Sequence, residues 1–210
     1  MSKYPGFLIS FEGGEGGGKT TQLVRLRERL VKAGKDVIAL REPGGTVISE
    51  QIREVVLSSK NVGMAYTTEV LLFQAARAQI YREIVLPSLE VGKIVLMDRT
   101  RDSSVVYQGM VRKFGVETIH MLNDLSTKST VPDLTFLLDI DVVTGLTRRG
   151  EAGDVNRLDM EAEKFHEQVR TAYLELAKNN DHKRWNIINA GQEIEKVEED
   201  IWKVVQEKAK

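Results

Sequence analysis

Phe7-Leu8-Ile9-Ser10-Phe11-Glu12-Gly13-Gly14-Glu15-Gly16-Gly17-Gly18-Lys19-Thr20-Thr21 is the stretch on which the reading of the chain turns. An apolar run breaks into five glycines around one acid, then ends on a lysine and two threonines. From Gly13 to Thr20 the spacing is G-x-x-x-x-G-K-[ST], the P-loop, with a strand expected before it and an amphipathic helix carrying Leu23, Leu26 and Leu30 after it. A loop without β-carbons lets the backbone N–H groups of Gly13, Gly14, Gly16, Gly17 and Gly18 close around a polyphosphate, while the next helix turns its N-terminus towards the anion. Lys19 adds a full charge for the β- and γ-phosphates. The Thr20 hydroxyl is placed to ligate a bridging Mg²⁺, and Glu15 and Thr21 complete the expected ATP-binding set.

The chain has 210 residues, 41% of them hydrophobic, which suffices for the core of one large domain. We read residues 1–210 as that single domain. Thirty Lys and Arg stand against 31 Asp and Glu, a net charge of −1, so no global basic field favours nucleic acid as a partner. There is no cysteine, which excludes disulfides, thiolate metal sites and a cysteine nucleophile, and the three histidines are scattered. The first residues lead into a strand without an apolar signal core, and no stretch approaches a membrane span. The expectation is a soluble, unexported, cytoplasmic protein without membrane contact.

Short apolar runs at 7–12, 36–41, 94–98, 134–140 and 185–189 alternate with long helical patterns. That alternation predicts a doubly wound, three-layer α/β sandwich around a five-stranded parallel sheet. Ligands in such sheets collect at the strands' carboxyl ends. The first helix should end at Gly34-Lys35, and Thr46 should cap the helix carrying Ile48, Ile52 and Val56. Residues 67–90 read as one long helix kinked near Pro87.

Several loops offer candidate ligand contacts beside an ordinary structural reading. Arg41-Glu42-Pro43-Gly44-Gly45-Thr46 is either a plain helix start or a substrate-facing loop at the P-loop edge of the sheet. Phe73 and Arg77 share a helix face, and periodicity alone favours a core phenylalanine beside a surface arginine. Asp98, ending the third strand, stands where a Mg²⁺-holding carboxylate belongs and Arg99 follows it into the cleft, although the two can also form a structural ion pair. Arg148, Arg149 and Arg157 fall in a glycine- and arginine-bearing segment at about 147–158, read as a mobile, exposed lid. The Ala190-Gly191-Gln192 turn is a nucleobase cradle or a plain strand-to-helix turn, and the residues do not separate the two.

The P-loop, Arg-Glu-Pro-Gly-Gly-Thr at 41–46, Leu-Leu-Phe-Gln-Ala-Ala-Arg-Ala-Gln at 71–79 and Asp98-Arg99, at these intervals, resemble bacterial thymidylate kinases nearly end to end. The resemblance implies a fold of the P-loop NTPase type and ATP-dependent phosphorylation of dTMP to dTDP, which feeds dTTP supply. It implies that Phe73 stacks on thymine, that Arg77 contacts the base carbonyl and that Arg99 grips the acceptor phosphate beside Arg41 and Pro43. Ser104 matches a position that reads the thymine edge, and Tyr107 one that crowds the sugar 2′ position. Glu15 matches an acidic position near the sugar 3′-hydroxyl and the metal, grouped with Thr20 and Asp98. Because that position is not arginine, the catalytic arginine beside Lys19 and Arg99 is expected from the lid: Arg148, Arg149 or Arg157. The family is typically homodimeric. Rival readings are another nucleoside monophosphate or deoxynucleoside kinase, or a nucleotide-dependent switch, against which there is no Asn-Lys-x-Asp motif.

Overall fold

The computed structural model describes residues 3–153, 156–179 and 183–208. Five strands, Phe7–Glu12 (β1), Val37–Arg41 (β2), Ile94–Asp98 (β3), Leu134–Asp139 (β4) and Trp185–Asn189 (β5), form one parallel sheet in the order β2-β3-β1-β4-β5. The helices are Lys19–Lys32 (α1), Val47–Leu57 (α2), Tyr66–Ile80 (α3), Leu86–Glu90 (α4), Arg101–Ser104 (α5), Val116–Thr127 (α6), Val142–Glu151 (α7), Glu163–Asn179 (α8) and Ile194–Lys208 (α9). The expected α/β sandwich and its five strands are thus present, three of them with the expected bounds.

The central strands are apolar almost throughout because helices cover both faces of the sheet. Along β1, Ile9 and Phe11 point to one layer and pack with Leu23, Leu26 and Leu30 of α1 and Val197, Ile201 and Val205 of α9. Leu8 points to the other, where it meets Ile80, Tyr81, Val85 and Leu89. Val105, Phe165, Val169 and Tyr173 continue that second layer over Leu137 of β4. Burying each such side chain stabilises the fold by ~1.5–3 kcal/mol. The period of two also sends Glu12, the last residue of β1, to the α5 and α8 side, where it is fully buried.

Strand order reverses direction at β1. The loop after β1 therefore opens between the carboxyl ends of β3 and β4, the position at which doubly wound sheets bind ligands. Capping follows the sequence: Lys35 N–H donates to Leu30 O across Gly34, and the Thr46 side chain accepts from Ser49 N–H at 3.2 Å.

The expected 67–90 helix differs in its interior. α3 gives way at Tyr81–Val85 to a π-helical turn, and Pro87 sits in the first turn of α4. There its missing N–H costs little, and the wide turn relieves the crowding between its ring and the preceding carbonyls. The expected lid differs too. α7 runs to Glu151, residues 154 and 155 lie outside the described residues, and Arg157 and Leu158, expected to be exposed, are buried.

Candidate active site

A cleft of about 910 Å³ opens at the carboxyl end of the sheet. Its floor is Glu15 to Thr21, and its walls carry Arg41, Pro43, Phe73, Arg77, Asp98, Arg99, Ser104, Tyr107, Arg148 and Arg149. Gly13 and Gly14 stand behind this lining and contribute carbonyls. Gly16 is held so close to α7 that a β-carbon there would stand 1.9 Å from Gly145 O. The loop and the helix consequently touch backbone to backbone.

Two cations converge on one atom at the centre. Lys19 Nζ donates to Gly13 O at 3.2 Å and to Gly14 O at 2.6 Å, and Arg99 Nη1 donates to the same Gly13 O at 3.0 Å. Burial, with the nearby Arg99 charge, lowers the Lys19 pKa, and the carboxylates of Glu15, Asp98 and Glu12 oppose that shift. Arg99 Nη2 reaches Glu15 Oε1 at 2.6 Å, and Tyr107 Oη donates to the same oxygen at 3.1 Å. Burial alone would raise the Glu15 carboxyl. The charges of Arg99 and Lys19 and the Tyr107 hydroxyl outweigh it and hold Glu15 at about 2. Thr20 Oγ1 donates to Asp98 Oδ2 at 2.5 Å, joining the start of α1 to the end of β3.

The far end of the cleft corrects the periodicity reading of Arg77, which is not a surface side chain but 2% exposed. Its Nε donates to Glu42 Oε2 at 2.7 Å, its Nη1 to Ser104 Oγ and Asn123 Oδ1, and its Nη2 to Thr100 O. These bonds use four of its five N–H groups and fix the guanidinium plane at the cleft wall. Phe73, one turn earlier, is half-buried along the same wall. Arg41 turns its Nη2 to the Glu50 carboxylate at 2.8 Å.

Arg148 and Arg149 border the cleft from α7, with Arg148 Nη1 donating to Ala190 O at 3.1 Å and Arg149 Nη2 pairing with Asp159 at 2.9 Å. The Ala190-Gly191-Gln192 turn belongs to the cleft wall. Arg157 does not line the cleft: it is 5% exposed and bonds to Val56 O and the Glu69 carboxylate. Its expected catalytic position is thus corrected, because a buried acid on α3 draws it inward.

Two residues escaped the sequence reading. Arg53 lines the cleft and donates to Pro43 O at 2.7 Å; its one signal was its place on the helix that follows Arg-Glu-Pro-Gly-Gly-Thr. Glu12 lies beneath Arg99, and its signal was a carboxylate closing a strand that is otherwise apolar except for Ser10.

A phosphate cradle on a doubly wound sheet, a carboxylate at the next strand's end and arginines on both walls of one cleft define a P-loop phosphotransferase. A family model described as thymidylate kinase matches residues 11–201. Proteins named thymidylate kinase from Anoxybacillus flavithermus and Thermoanaerobacter pseudethanolicus are 46% and 44% identical over 201 and 200 residues. Each alignment covers 95% of this chain, and 96% and 97% of those proteins respectively. The crystal structure of thymidylate kinase from Ehrlichia chaffeensis superposes with a TM-score of 0.77 at 33% identity, covering 95% of this chain and 98% of that one. The chain belongs to the thymidylate kinase family.

Proposed function

We propose that this protein transfers the γ-phosphoryl group of ATP to the 5′-phosphate of dTMP, giving dTDP and ADP. The observation that carries the reading is the convergence of Lys19 and Arg99 on Gly13 O, which sets a donor-side cation and an acceptor-side cation within one atom's reach of each other.

The attacking group is already an anionic phosphate oxygen, so no base is needed. What opposes reaction is repulsion between two polyanions, and cations in line with the transfer remove it. Lys19 binds the ATP β- and γ-oxygens, Arg99 holds the dTMP phosphate, and Arg148 or Arg149 meets the transferring group from α7. The Phe73 ring stacks on thymine, and the free Nη2 hydrogen of the fixed Arg77 fork meets a base carbonyl. Ser104 borders the thymine edge. Tyr107, held on Glu15, occupies the space a ribose 2′-hydroxyl would need. Two nucleotides filling the cleft between the P-loop and α7 leave no room for water as a competing acceptor.

Thr20 and Asp98 offer Mg²⁺ two hard oxygens, and among the described residues no group of three or more acid, histidine or cysteine side chains forms a metal cage. That set fits an ion that keeps waters and phosphate oxygens as most of its ligands. Bound there, Mg²⁺ would neutralise charge on the β- and γ-oxygens.

The reading includes a homodimer, supported by exposed Leu71 on α3 and Met121 and Leu125 on the neighbouring α6. It also includes a cytoplasmic location; among the described residues no helix is long and apolar enough to cross a membrane.

ADP release measured by a coupled assay with each nucleoside monophosphate in turn tests the reaction. dTMP must be the best acceptor by a wide margin and thymidine must fail; ATP hydrolysis indifferent to dTMP would overturn it.

A further inference from the structure

β1 ends on a carboxylate that the chemistry above leaves unused. Glu12 is fully buried one residue before the phosphate cradle, and four donors fill its oxygens. Oε1 accepts from Thr100 N–H at 2.8 Å and Thr100 Oγ1 at 3.0 Å; Oε2 accepts from Ser103 Oγ at 2.6 Å and Tyr173 Oη at 2.8 Å. Every one of these groups also bears on Arg99. Thr100 is its chain neighbour, and Ser103 Oγ and Tyr173 Oη lie 3.4 and 3.3 Å from Arg99 Nη1.

Arg99 itself has a φ of 68°, in the left-handed region that favours glycine. Such a conformation persists only where its surroundings over-determine it. Here the Arg99 N–H donates to Phe11 O at 2.9 Å and the Thr100 N–H to Glu12 Oε1, so two consecutive residues of β1 clamp the backbone on either side of the strained position.

We propose that Glu12 is a positioning residue for the phosphoryl acceptor: by holding Thr100, Ser103 and Tyr173 it keeps Arg99 in the left-handed conformation that directs its guanidinium into the cleft. This rests on the reading of Arg99 as the arginine of the acceptor phosphate. A carboxylate suits the place because it accepts on every side. A glutamine has the same shape, but it brings two hydrogens where Ser103 and Tyr173 meet an acceptor.

A double-mutant cycle on the full chain tests the proposal, with kcat and KM measured for ATP and dTMP and melting temperature as the check on folding. Glu12→Gln should lower kcat/KM for dTMP by ~10-fold or more, leave KM for ATP within ~2-fold, and cause no further loss when Arg99 is already alanine. Equal losses in the Arg99 and Arg99→Ala backgrounds would overturn it, since Glu12 would then act on the fold at large. If Glu12→Gln does not fold, Tyr173→Phe removes the hydroxyl shared by Glu12 Oε2 and Arg99 Nη1 and passes through the same cycle with the same two outcomes. Wild-type acceptor kinetics in Arg99→Ala alone would remove the assignment of Arg99 and the proposal with it. A large loss in Arg99→Ala with additive Glu12→Gln would remove the proposal alone.

Discussion

Arg157 and Glu69, 88 positions apart in the chain, meet inside it: Arg157 Nη2 donates to Glu69 Oε2 at 2.6 Å, with the two side chains 5% and 1% exposed. Gln108 Nε2 donates to the other carboxylate oxygen at 2.9 Å and Arg112 Nε stands 3.8 Å from it. A cation this deep serves the carboxylate it neutralises, and it ties the chain after α7 to α3.

Arg157→Ala should therefore act on stability. Removing one member of a buried pair leaves an uncompensated charge and costs ~3–5 kcal/mol, read as a lower denaturant midpoint. Combining Arg157→Met with Glu69→Gln should recover part of that loss. Unchanged stability with collapsed kcat would return Arg157 to the reaction centre.

Lys19→Ala should do the reverse. Its ammonium is buried against two carbonyls at a cost in solvation, so its loss should leave the melting temperature nearly unchanged. Turnover should fall by ~10³-fold or more, because the phosphoryl oxygens lose their fixed charge. Wild-type-like kcat in that variant would refute the assignment.

Phe73→Ala should weaken the acceptor and spare the donor. Stacking of a base on an aromatic ring is worth ~1–3 kcal/mol, so KM for dTMP should rise by roughly 5- to 100-fold with KM for ATP unchanged. Equal changes in both constants would place the base elsewhere.

Asp98→Asn keeps the shape at the end of β3 and removes its charge. The Mg²⁺ concentration giving half-maximal rate should rise ~10- to 100-fold, with little change in melting temperature. An unchanged Mg²⁺ dependence would exclude Asp98 from the metal site.

Glu12 makes a prediction about pH. Burial and the neighbouring Asp102 charge push its carboxyl from an ordinary 4.5 to about 7, against the hydrogen bonds from Ser103 and Tyr173 and the charge of Arg99. A carboxyl that holds its proton more tightly folded than unfolded contributes stability that is complete below its unfolded pKa and is lost as pH rises through its folded one. The melting temperature of the wild type minus that of Glu12→Gln should thus decline by a few degrees between about pH 5 and about pH 8. A difference that is flat or grows with pH would contradict this.

The sheet was legible because each central strand is a short apolar run ended by a charged or glycine-bearing turn, as Ile94 to Asp98 shows. The P-loop was legible because its spacing is local. Periodicity alone set Arg77 on the surface, where the resemblance set it at the base, and the scarcity of apolar anchors around Arg157 set that residue in an exposed lid; only partners far along the chain, Glu42 and Asn123 for one and Glu69 for the other, make their burial tolerable. The π-helical turns at Tyr81–Val85 and, after α5, at Val105–Val111 were hidden because one extra residue in a turn leaves the apolar pattern nearly unchanged. Glu12 was visible as a residue, but its role lies in what it touches across the sheet.

The contact between Gly16 and Gly145 leaves no room for a side chain on either partner; a β-carbon on Gly145 would stand 2.4 Å from Glu15 O. The first turn of α7 thus rests on the phosphate cradle like a fulcrum, with Arg148 and Arg149 on the far arm. Beyond residue 145 that arm can be lengthened, shortened or recharged without touching the pivot, so the charge facing the cleft and the backbone seam beneath it vary independently.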